Sequence, residues 1–87
     1  MPHRYAATAE ELVQLLTENP GESPSLFLRD DSFAAHCYDH CSASELKSAF
    51  HRDPDPEQCR RWGISTIEWK ESVALAYAAL VARNAGR

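Results

Sequence analysis

The amino-acid sequence predicts an all-α protein: a compact bundle of five to six short helices packed around a long C-terminal helix. Three observations predict it. Helix-start signatures recur along the chain, residues 66–84 carry apolar side chains at helical spacing, and no run alternates apolar and polar residues long enough for a sheet. The 87 residues make one domain, 1–87, with flexible ends expected at 1–7 and 84–87.

The first helix is expected over 9–18. Thr8 followed by Glu11 has the capping-box pattern, in which the hydroxyl accepts from a free N–H and the carboxylate reaches back. Leu12, Val13, Leu15 and Leu16 supply its apolar content, and the "NPG" of 19–21 stops it. The segment "SPSLFLRDD" (23–31) suits a turn of helix better than a strand, since an isolated strand has nothing to pair with. Helices follow over 32–41 and 43–51, the second opened by Ser42 with Glu45 three residues on. The two-proline connector "HRDPDPEQ" (51–58) reads as a stiff surface loop. A short helix over 56–62 has Pro56 at its first position, where a missing N–H costs nothing.

The last helix, 66–84, opens on Ser65 with Glu68. Trp69, Val73, Tyr77 and Leu80 share one face, while Ile67, Leu75, Val81 and five alanines lie around the rest. A helix this apolar on several sides is either wrapped by the others or lends a face to a partner, a second copy of the chain being one candidate.

Composition narrows the functional classes. The formal charge is −4, from 13 acidic against 9 basic residues, and apart from Arg60-Arg61 the bases are scattered. Nucleic-acid binders draw affinity from phosphate contacts and show a basic stripe, which is missing, so direct nucleic-acid binding is not expected. The N-terminal "MPHRYAATAEELVQLL" has no uninterrupted apolar core, so no signal peptide is expected. The most apolar run, "VALAYAALVA" (73–82), is about half of what spans a bilayer, so no membrane association is expected either. Three cysteines make no complete disulfide framework. A cytoplasmic protein with reduced thiols is the expectation.

The stretch "HCYDHC" (36–41) concentrates the chemistry. On a helix, His36 and His40 stand one above the other; Cys37 and Cys41 form the neighbouring stripe, about 100° round, which Phe33 extends. The primary reading is a core-facing row, because free cysteine packs as a small hydrophobe. The alternative is zinc, held by Cys37, His40 and Cys41 with Cys59 or His51 as the fourth ligand. Such a site would staple a domain near the lower size limit for one core. The spacing Cys-x3-Cys-x9-His-x7-Cys matches no standard zinc module. A Cys37–Asp39–His40 catalytic set fails on geometry, since neighbouring helical residues point about 100° apart. No phosphate-cradling loop or hydrolase signature occurs, and an enzyme is not expected.

Residues 56–75 have a helix-turn-helix layout around Gly63 and Ile64, with Cys59 where the helices must approach. Arg60, Arg61 and Lys70 would carry its phosphate contacts, but Glu68 and Glu71 make the second helix a poor surface for DNA. Arg60, Arg61 and Trp62 instead have the composition of a protein-interface hot spot. The function expected is therefore a small acidic, non-enzymatic protein-binding module. It suits an inhibitor or adaptor of the kind phages and mobile elements encode. Its charge favours a basic partner that itself handles nucleic acid. A helix-turn-helix DNA-binding regulator, with or without zinc, is the alternative.

Overall fold

The computed structural model of the chain describes residues 4–85. Among them are five α-helices and one 3-10 turn, with no strand: α1 (Ala9–Glu18), the turn Pro24–Phe27, α2 (Phe33–His40), α3 (Ala43–Phe50), α4 (Pro56–Trp62) and α5 (Thr66–Ala85). The fold is the expected one, a long C-terminal helix with the others packed against it. No described helix is long and apolar enough to cross a membrane.

The helix starts form where the side chains dictate. At α3 the reciprocal box is complete: the Glu45 N–H donates to Ser42 Oγ at 3.1 Å, and the Ser42 N–H donates to Glu45 Oε1 at 3.0 Å. That backbone donor stabilises the ionised carboxylate and holds Glu45 below its ordinary pKa. At α1 the box is displaced by one residue. Thr8 Oγ1 accepts from the Glu11 N–H, but the carboxylate reaches the N–H of Ala7 rather than that of Thr8. Ser32, which carries no acidic partner three residues on, caps α2 through the Ala35 N–H at 3.1 Å. Asp55 caps α4 and Ser65 caps α5.

Packing is organised by α5. Trp69, Val73, Leu75, Ala76, Ala79 and Leu80 are buried on it, Tyr77 is half-buried, and only Ile67 and Val81 among its large apolar residues are exposed. Helices α1, α2 and α3 lie along α5, whereas α4 touches it lightly. The helix is wrapped on most of its circumference, with Ala76 and Ala79 fully buried in it. The 3-10 turn delivers Phe27 and Leu28 into the same core, beside Leu12, Leu15 and Leu46.

The ends expected to be flexible fall partly on residues 1–3 and 86–87, which lie outside the described residues. Within the described part, Ala6 is buried and its N–H donates to the Phe27 carbonyl at 2.9 Å, while α5 continues through Asn84 to Ala85.

Between α4 and α5 the chain turns at Gly63, whose φ of 72° lies in the left-handed region where a side chain is strained. The Ile64 N–H donates back to the Cys59 carbonyl at 3.0 Å, and Ile64 packs on the core. This closes α4 immediately after Trp62, leaving that indole at the helix end.

Candidate functional site

Two elements build the site: the outer face of α2 and the C-terminal end of α4. Helical periodicity divides α2. Ala34, Ala35, Cys37 and Tyr38 turn inward, and His36, Asp39 and His40 are exposed. Phe33 is half-buried between the two sets. Trp62 comes over this face from α4, its ring centroid 5.0 Å from that of His36 and 5.4 Å from that of Phe33, both pairs tilted. His36 also lies 6.2 Å from Phe33 in a stacked arrangement and 4.6 Å from His40. The four rings form one continuous surface cluster, in which Trp62 remains 49% exposed. Arg60 and Arg61 are exposed beside it, and Arg61 shares a shallow hollow with Gln58 and Trp62.

A cavity of about 200 Å³ adjoins Trp62, bordered by Cys37, Cys41, Leu46, Trp69 and Val73, with the exposed Glu45 and Arg52 also on its wall. Cys37 is buried, and burial, followed by the neighbouring Cys41 thiol and its hydrogen bond, pushes its pKa from 9.0 to about 12. A thiol held this firmly in its neutral form is a poor nucleophile at neutral pH.

The residues read as zinc ligands are distributed differently from the expected set. Cys37 and Cys41 do share a face and interact, Cys37 on the core side and Cys41 half-exposed. His40 places its ring against His36. Cys59 is buried on α4, and His51 lies edge-on to Phe50 at 5.4 Å. Among the described residues no group of three or more His, Cys, Asp or Glu is placed to hold one metal ion. Of the row Phe33, Cys37 and Cys41 read as core-facing, Cys37 is buried while Phe33 and Cys41 are half-buried at the core's edge, and all three thiols are free.

The helix-turn-helix layout is present as α4, Gly63 and α5, but one of its three expected phosphate contacts is engaged elsewhere. Lys70 Nζ donates to the carbonyls of Phe50 and Arg52 at 2.7 and 3.0 Å, closing the C-terminal end of α3.

Sequence reasoning singled out Trp62 but missed where it lands. Phe33, His36 and His40 recur at i, i+3 and i+7, one stripe of α2, and that spacing is the signal that was available. No family model matches the chain, and no curated protein or solved structure matches it either.

Proposed function

We propose that the protein is a non-enzymatic protein-binding module, an inhibitor or adaptor, that captures its partner on the surface around Trp62, Arg60 and Arg61. The observation that carries this reading is the half-exposed Trp62, braced by Phe33 and His36 and flanked by two exposed arginines. Tryptophan and arginine dominate interface energetics when they become desolvated. A side chain already held by its neighbours loses less conformational freedom on binding, so more of the contact energy appears as affinity. The net charge of −4 favours encounter with a basic protein, while Arg60 and Arg61 would meet acceptor groups at the contact itself. Three free thiols suit a reducing, cytoplasmic setting.

The test is affinity capture with wild-type bait against W62A and R61A baits, each first shown by circular dichroism to be folded. Proteins retained by wild type and lost from both variants support the reading. An identical captured set with all three baits sinks it.

The α4–Gly63–α5 layout favours a second reading, a small DNA-binding regulator. It is the weaker one, because Lys70 is engaged at the end of α3 and Glu68 and Glu71 are exposed at the start of α5. Fluorescence anisotropy with random duplex at low salt decides it, binding by wild type that R60A/R61A abolishes being the supporting outcome.

A further inference from the structure

His36 and His40 occupy successive turns of one face of α2, both exposed to solvent. Their ring centroids are 4.6 Å apart and their planes are inclined by 45°. Neither ring donates or accepts a hydrogen bond among the described residues; both lie against other rings. Four imidazole nitrogens therefore face solvent or ring surfaces, two rings sharing one side of a rigid helix.

Two imidazoles that ligate one ion have a definable separation. With metal–nitrogen bonds of about 2.0–2.1 Å the ion lies roughly 3.2 Å from each ring centroid. Ligation at a right angle then separates the centroids by about 4.5 Å, and tetrahedral ligation by about 5.2 Å. The observed 4.6 Å falls at the right-angle value.

We propose that His36 and His40 form a bidentate chelate for a divalent ion of tetragonal preference, copper(II) or nickel(II), with water completing its coordination. Imidazole is a ligand of choice for both ions, and their preferred geometry places neighbouring donors at right angles. The helix backbone sets the spacing, and the tilted contact of Trp62 and the stacked contact of Phe33 with His36 restrain one ring before any ion arrives. Once one imidazole has bound, the second closes the chelate at high effective concentration, so the pair binds far more tightly than either alone. This site differs from the Cys/His set suggested by the sequence. It needs no thiolate, lies wholly on the solvent face of α2, and is independent of whether Trp62 binds a protein.

The probe is nickel(II), which leaves the free thiols unoxidised. Titration of H3Q protein, which removes the N-terminal histidine as a competitor, is followed by calorimetry and by tryptophan emission. One ion per chain is expected, with quenching of the Trp62 emission because the ion sits beside the His36 ring. H36Q or H40Q should weaken binding by about tenfold or more, while C41S and H51Q leave it unchanged. H40Q is the decisive variant, since among the described rings His40 lies against that of His36 alone and its loss spares the contact between His36 and Trp62. Absence of saturable binding, an unchanged affinity in H40Q, or loss of binding in C41S overturns the proposal, the last by moving the ion onto the thiols.

Discussion

Trp62 and Trp69 stand on either side of Gly63, seven residues apart, and the fold gives them opposite environments. Trp69 is 4% exposed, inside the bundle, with the Arg52 guanidinium 6.0 Å above its ring; Trp62 is 49% exposed, on the rim. The difference lies in the helices that carry them. Trp69 belongs to α5, which is wrapped on most sides, and Trp62 ends α4, which is attached lightly and stopped by a glycine. A tryptophan on the central helix holds the fold together. One on a peripheral helix end is available for something else.

Truncation should separate the two. Trp69→Ala should remove about 3–5 kcal/mol, the usual cost of deleting a buried aromatic ring. Domains of this kind have about 5–15 kcal/mol in total, so urea unfolding followed by circular dichroism should show a greatly lowered midpoint or no folded baseline. A loss below that of a surface substitution would mean that α5 is not the centre of the core.

The cavity between the tryptophans sharpens the comparison through Cys37. Its thiol titrates near 12 in the folded protein, above the 9.0 of a free thiol. The folded chain therefore keeps a proton that the unfolded chain releases, so the contribution is whole below pH 9.0 and declines as the pH rises towards 12. Cys37→Ala should flatten the alkaline decline in unfolding free energy, while Cys41→Ala should flatten it less.

Next in size is the turn that divides the regions. A Cβ at Gly63 would meet nothing within 4 Å, so Gly63→Ala isolates the backbone term. The φ of 72° makes the expected cost about 1–2 kcal/mol, with Gly63→Asn costing less because asparagine tolerates this region. Lys70→Met should cost about 1 kcal/mol, through the two charge-assisted bonds to the end of α3 that it removes. Denaturation midpoints measured side by side check the order.

Much of this architecture was legible in the sequence, because its helices announce their ends locally. Ser42 with Glu45, Pro56 at a first position, and Gly63 followed by Ile64 each act within a few residues, and the observed helices start and stop where they predict. The start of α1 was less legible: Thr8 and Glu11 match the pattern, yet the carboxylate reaches Ala7. The candidate site was only half legible. Spacing along α2 shows that His36 and His40 share a stripe, but no local rule says that Trp62, a whole helix and a loop away, packs on it. The zinc alternative shows the same limit from the other side, since residue type suggests Cys37, Cys41 and Cys59 as ligands but no local rule tells that Cys37 and Cys59 are buried in the core. Lys70 looked like a phosphate contact until the end of α3 proved to need a donor.

The smallest expected stability effect is the most informative one. Trp62→Ala removes a ring that is already half in water and whose contacts, with Phe33 and His36, are themselves on the rim. Aromatic pairs contribute about 0.5–1.5 kcal/mol beyond area burial, and exposure reduces what remains, so the loss should stay under about 1 kcal/mol. Such a cost is smaller than a residue kept only to cover the core edge would show, and small enough for a protein to tolerate in exchange for a binding surface. The two roles part when stability and capture are measured on the same variant. If Trp62 serves a partner, W62A keeps its urea midpoint nearly unchanged and loses the captured protein. If it only seals the edge of the core beside the cavity, the midpoint falls by as much as that of Gly63→Ala, and capture falls no further than the folded fraction does.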